Sequence, residues 1–110
     1  MKNKFIVFFF LLNFETFSQK IFSVDYASQS DIKVFVVSYE SQSDLKVFKV
    51  DYQSQANGNK GLWHFVNYRS QSDKNIYFVD YSSQSDLKIF FVKYKSQAGW
   101  RKKEKMHLMH

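Results

Sequence analysis

The chain has no cysteine and no proline, and only three of its 110 residues are glycine. Without cysteine there is no disulfide, no thiolate nucleophile and no thiolate metal site. Without proline, no turn is held by a locked φ. With so little glycine, the two-residue primed hairpins that need φ > 0 are excluded from most of the chain. Threonine occurs once, at Thr16, which excludes a threonine ladder of the ice-binding kind. Unbroken apolar runs are short too. Phe5 to Leu12 is a run of eight, far below the roughly 20 residues that span a bilayer as a helix.

Aromatic side chains, by contrast, make up 20% of the chain, enough to build a packed core. A length of 110 residues allows one domain. The net charge of +6 is uneven: Arg101, Lys102, Lys103 and Lys105 crowd the end of the chain against Glu104 alone. A basic balance that sits largely in one terminal segment is a weak signal for a nucleic-acid surface, and no nucleic-acid partner is expected.

One phrase recurs, Tyr-x-Ser-Gln-Ser-Asp-Leu-Lys-Val-Phe-x-Val-x, with clear copies from Tyr39 to Asp51 and from Tyr81 to Lys93. Tyr26, Tyr39, Tyr52, Tyr68, Tyr81 and Tyr94 mark its phase, at steps of 13, 13, 16, 13 and 13 residues. A fixed period of this kind dictates architecture before any local reading does. After each acidic residue the pattern alternates as a strand does. One face carries Phe35-Val37-Tyr39, Phe48-Val50-Tyr52, Tyr77-Val79-Tyr81 and Phe90-Val92-Tyr94, and this face is expected to form the core. The opposite face, with Val34, Val36, Ile76, Phe78, Ile89 and Phe91, is apolar enough that the strands are expected to be covered on both sides for part of their length.

Between strands stand Ser28-Gln29-Ser30-Asp31 and its copies ending at Asp44, Asp73 and Asp86. Serine and aspartate close turns by bonding nearby backbone. Since these turns lack glycine, links wider than a tight hairpin are expected, against an up-and-down meander. Residues 28–56 match residues 70–98 at an offset of 42. Each stretch ends in Ser-Gln-Ala followed by a Gly/Trp element, Gly58 to Trp63 in one case and Gly99-Trp100 in the other. The expected fold is all-β: a compact single domain of 13-residue β repeats in two pseudo-equivalent halves.

The first residues read as an address. Met1 to Lys4 is basic, Phe5 to Leu12 apolar, and Thr16-Phe17-Ser18 supplies small residues before Gln19, the plan of a secretory signal peptide cleaved after Ser18. Residues 1–18 are thus expected as a signal peptide, 19–98 as the β-repeat domain and 99–110 as a basic C-terminal segment. The mature chain is expected to be secreted or periplasmic, without a membrane span, and monomeric.

The repeated Tyr-x-Ser-Gln-(Ser/Ala)-Asp-x-Lys-(Val/Ile)-(Phe/Tyr)-x-Val-Asp units, the mid-chain Gly-Leu-Trp break and the Ser-Gln-Ala-Gly-Trp-Arg ending resemble the septoil knot family over residues 20–109. The resemblance implies a compact β fold whose backbone forms a seven-crossing torus knot, with no assigned activity. Ser30, Ser43, Ser72 and Ser85 stand where the family pattern favours alanine, and Asn75 stands in place of lysine.

Catalysis is not expected. Asp31/Lys33, Asp44/Lys46 and Asp86/Lys88 lie two apart on a strand face, but a catalytic pair is singular whereas this pair repeats, as strand-end ion pairs would. The serines lack a recurrent histidine partner, since only His64, His107 and His110 occur. His107 and His110 alone do not make a metal site, and no metal or cofactor is expected. Trp63, Trp100, Arg101, Lys102, Lys103 and Lys105 are the candidates for ligand contact. Set against this, the tryptophans read better as plugs for the two ends of the core, and the basic run as a solvated tail. The leading functional expectation is an exported, non-enzymatic structural or interaction protein with a kinetically stable, protease-resistant fold. Alternatives are an extracellular glycan- or polyanion-binding module and a secreted amyloid subunit.

Overall fold

The stretch after each repeat's aspartate is rich in Val, Ile, Leu and Phe, which suit a pleated surface, and in the computed structural model it is extended. The structure describes residues 18–110; residues 1–17, which carry nearly all of the expected signal peptide, lie outside the described residues. The strands are β1 Lys20–Ser23, β2 Ile32–Val36, β3 Leu45–Lys49, β4 Leu62–Phe65, β5 Lys74–Phe78, β6 Leu87–Phe91 and β7 Gly99–Trp100. Single 3-10 turns separate them: η1 Ala27–Gln29, η2 Glu40–Gln42, η3 Gln53–Gln55, η4 Arg69–Gln71, η5 Ser82–Gln84 and η6 Lys95–Gln97. A longer 3-10 segment, η7 Lys103–Met109, ends the chain.

β1 to β6 close on themselves. Their order is β4-β1-β5-β2-β6-β3, with β3 paired back to β4 and every pairing parallel. The two halves therefore alternate strand by strand around a six-stranded barrel. β7 adds an antiparallel pairing to the start of β3. Each connector rides over the next strand of the ring: η1 over β5, η5 over β2, η2 over β6, η6 over β3, η3 over β4 and η4 over β1. At the seam, η3 has crossed β4 and the chain must turn back to enter it. The Asn57 to Gly61 stretch makes that return and accounts for the 16-residue step.

The paired residues drift round the ring by about two positions per strand, against one per strand in an eight-stranded TIM barrel. The strands are steeply tilted as a result. A connector as short as residues 37–44 can then return to the starting level without the helix that parallel crossovers ordinarily use.

Allowing for that drift, the inward side chains fall into three layers of six. The middle layer is Ile21, Val34, Val47, Trp63, Ile76 and Ile89, all with no exposed surface. At the N-terminal ends of the strands lie Ile32, Leu45 and Leu87, with Gln19, Gly61 and Lys74. At the C-terminal ends lie Phe65, Phe78 and Phe91, with Ser23, Val36 and Lys49, whose ammonium sits 4.5 Å from the Phe91 ring centroid.

This corrects the expected core face. The Ile/Leu/Val face points inward, and the phase-marking tyrosines are 65–68% exposed. Six strands enclose an interior too narrow for six aromatics in one layer; five branched aliphatics and one tryptophan fill it. Phe35, Phe48, Tyr77 and Phe90 face outward and are half-buried, while Val24, Val37 and Val50 are buried. Both faces of the sheet are covered.

The C-terminal segment is not a solvated tail. Met109 is 1% exposed and joins the barrel core, with Leu108 and Trp100 packed against it. The Gln19 side-chain amide donates to the Met109 carbonyl at 3.0 Å, and that of Asn59 to the Met106 carbonyl at 2.9 Å. The segment caps the N-terminal end of the barrel.

Candidate functional site

Two sets of repeated side chains stand out, one holding the ring together and one facing solvent. The first is the aspartate that opens a strand. The N–H of Asp31 donates to Asn75 O, and its carboxylate accepts the Asn75 N–H at 2.8 Å. Asp44 clasps Lys88 in the same way, Asp73 clasps Lys20 and Asp86 clasps Lys33. Each clasp joins the start of one strand to the neighbouring strand of the other half, which sets register across four of the six joints. The expected Asp–Lys ion pairs within a strand are replaced by these bonds; Lys46 pairs with Glu40 instead, at 3.5 Å. The third residue of each Ser-Gln-Ser trio also has a task. Ser30, Ser43, Ser72 and Ser85 donate their hydroxyls to the carbonyls of Ala27, Glu40, Arg69 and Ser82, closing the turn.

Asp44 is the special copy. Its side chain is buried, its second oxygen stands 3.7 Å from Lys102 Nζ, and Lys105 Nζ lies 3.3 Å from the oxygen that accepts Lys88. The backbone N–H groups of Arg101 and Lys102 both donate to the Asp44 carbonyl. Asp44→Ala is expected to cost about 2–4 kcal/mol, because it removes the charged acceptor of the part-buried Lys88 N–H and the anchor of two cap lysines. The exposed Asp86→Ala should cost about half as much. Urea midpoints compare them, and equal losses would show that the anchoring of the C-terminal cap adds nothing.

The second set is the Tyr-x-Ser-Gln of each connector. Tyrosine opens the 3-10 turn and glutamine closes it, and side chains three apart in such a turn eclipse. Neighbouring connectors lie side by side round the barrel wall, and four successive gaps between them are open grooves. They measure about 430 Å³ between η1 and η5, 310 Å³ between η5 and η2, 300 Å³ between η2 and η6, and 440 Å³ between η6 and the seam loop. Their floors are the outward aromatics and aliphatics of the strands. Tyr77 and Val79 line the first, Phe35 and Val37 the second, Phe90 and Val92 the third, and Leu62 and Ala98 the fourth. Lysine recurs as well: Lys33, Lys88 and Lys93 in the first three, then Lys60 and Lys95.

A family model, the 7(1) septoil knot domain, matches residues 18–101. The chain belongs to that family. No curated protein and no solved structure matches it. The matched septoil knot domain begins at Ser18, which bridges to Asn57 and donates its hydroxyl to Asp73. It ends at Arg101, whose guanidinium donates to the carbonyls of Ser41 and Ser43 at 2.8 and 2.9 Å.

The ligand-contact candidates scatter within this frame. Trp63 is wholly buried in the middle layer and offers nothing to a ligand; it fills the centre of the barrel and not an end. Trp100 is half-buried at the N-terminal end, with its indole N–H donated to Asn59 O at 2.9 Å. Lys102 and Lys105 are engaged with Asp44 and Arg101 with the Ser41 and Ser43 carbonyls, which leaves Lys103 as the cation of the run with no such contact. The grooves were not singled out from sequence. Their signal was present all the same: Tyr, Ser and Gln are identical in all six units, whereas the middle-layer core position runs through Ile, Val and Trp.

Proposed function

We propose that this chain is an exported, non-enzymatic interaction protein whose interlaced fold serves kinetic stability and resistance to proteases. One observation carries the reading: each connector of one half crosses over a strand of the other. Peeling a strand away therefore requires lifting a connector that belongs to a different part of the chain. Unfolding must unpack both windings together, which raises its barrier and slows its rate. We propose further that the winding closes as the seven-crossing torus knot of the family's name, and that residues 1–18 are a leader removed on export.

The ring geometry also speaks against the amyloid alternative. All six barrel strands are paired on both sides, so the sheet offers no long bare edge for a further strand.

Native-state digestion of mature protein with a non-specific protease tests the reading. The span Tyr26 to Met109 should remain intact while an unknotted all-β domain of similar size is consumed. Fast cleavage inside the repeats would overturn it. Mass spectrometry of the extracellular or periplasmic fraction should find Gln19 as the first residue, whereas cytoplasmic protein starting at Met1 would exclude export.

A further inference from the structure

The exposed part of the repeat varies as little as the valine that precedes it, Val24, Val37, Val50, Val66, Val79 and Val92. In all six connectors the tyrosine, the serine two residues on and the glutamine after it are identical, while the corresponding middle-layer positions run through Ile, Val and Trp. Packing does not ask for this uniformity. The turn is closed by the bond from the glutamine N–H to the tyrosine carbonyl, at 3.0–3.1 Å in every copy, which any pair of residues can make. The hydroxyls of Tyr26, Tyr39, Tyr68 and Tyr81 and the six serine hydroxyls have no partner among the described residues, nor do the side chains of Gln29, Gln42, Gln71 and Gln84, whereas Gln55 and Gln97 accept the backbone N–H of Tyr52 and Tyr94. Residues kept identical six times over, exposed and for the most part without a side-chain bond in the fold, fit a repeated surface that meets a repeated partner.

The charges narrow the partner. Salt bridges take up Lys46, Lys102 and Lys105, whereas Lys33, Lys60, Lys88, Lys93 and Lys95 in the grooves pair with no carboxylate among the described residues. Against these five cations the four grooves contain only Asp80 and Glu40. Each groove thus joins an apolar floor to at least one such ammonium, beside walls that present Tyr81 and Gln84 in the first, Gln42 and Ser82 in the second, Gln97 in the third and Ser96 in the fourth. Each is also within the size range of small-ligand sites.

We propose that the four grooves running from η1 across η5, η2 and η6 to the seam loop form a track for an acidic polysaccharide, a polymer of uronate sugars. Sugar rings would lie on Tyr77, Phe35, Phe90 and Leu62, where ring faces meet apolar surface. The lysines meet the carboxylates, while Tyr81, Gln84, Gln42, Gln97 and Ser96 meet hydroxyls. One carboxylate per sugar suits roughly one lysine per groove. Engagement of several equivalent grooves by one chain supplies affinity that no single groove would have. The proposal rests on the reading of the chain as an exported interaction protein.

The test is binding of mature protein to polygalacturonate, to neutral dextran and to duplex DNA near physiological salt. Polygalacturonate alone should bind. Affinity should fall by about tenfold or more in K33A/K88A/K93A and in Q42A/Y81A/Q84A, and should return in the lysine-to-arginine triple variant. K103A, on the C-terminal cap, should bind as the parent does. Equal binding of dextran would overturn the role of charge. Equal binding of DNA would mean attraction of any polyanion and overturn the sugar track, as would absence of binding by the parent protein. The parent's selectivity decides the matter even if a triple variant fails to fold. Failure of protease resistance would sink the stability reading without touching this one, and a resistant protein that binds nothing would sink only the polysaccharide.

Discussion

Gly61→Ala leaves little or no folded protein. A Cβ on this residue would lie 2.3 Å from the Lys46 carbonyl oxygen, and its φ of +83° is one that L side chains rarely adopt. The atom in the way is backbone, part of the strand that must accept β4 to close the ring. Gly61 cannot retreat either, because its carbonyl accepts the Phe48 N–H at 2.8 Å. Strain at such a φ costs about 1–3 kcal/mol alone. With the overlap added, the total passes about 4 kcal/mol, a large part of what a domain of this size has. Gly58→Ala is the control. It shares a positive φ of +75°, but its Cβ would meet nothing closer than 3.7 Å, so it should cost only about 1 kcal/mol. Soluble yield and urea unfolding read both. A Gly61→Ala protein within 1 kcal/mol of its parent would mean that the seam does not close as described.

The second large effect comes from the C-terminal cap. A chain ending at Arg101 loses the buried Met109 and the Leu108 packed against the core, and uncovers Ile32, Leu45 and Leu87. It also deprives Gln19 of the Met109 carbonyl, Asn59 of the Met106 carbonyl and Asp44 of both its lysines. Burial of one such apolar side chain contributes about 1.5–3 kcal/mol, so the truncation should cost about 4–6 kcal/mol. Met109→Ala alone should account for about 2–4 of that. Circular dichroism in a urea series measures both. An unchanged midpoint for the truncated chain would show that the cap rests on the barrel without stabilising it. A solvated tail, as the charge run suggested, would have given that result.

The run misleads because Lys103-Glu104-Lys105-Met106-His107-Leu108-Met109 holds its apolar residues in no clean strand or helix pattern, and 3-10 periodicity is rarely sought over seven residues. Elsewhere the sequence is more legible. The 13-residue steps locate the strands, and the 42-residue offset relates β1, β2 and β3 to β4, β5 and β6. What alternation cannot tell is which face becomes concave. Phe48 and Val50 look like better core than Leu45 and Val47 until the sheet closes and the interior narrows. Nor can a strand reveal its neighbour. Asp44 reads as a local turn former, whereas its partner is Lys88, 44 residues away in the other half. The grooves stayed hidden for a related reason: they lie between connectors that are adjacent only because the halves interleave.

That alternation of halves carries a consequence for how such a chain can arise. A gene for one half alone would encode three strands separated by three gaps, none of them neighbours. As a lone molecule it would have no sheet at all. Two copies, each filling the gaps of the other, would make the whole ring at once. Two unlinked halves would gain a sheet only as an intertwined dimer; linked, they are a single molecule. The Asn57 to Gly61 loop lies in the link between the halves.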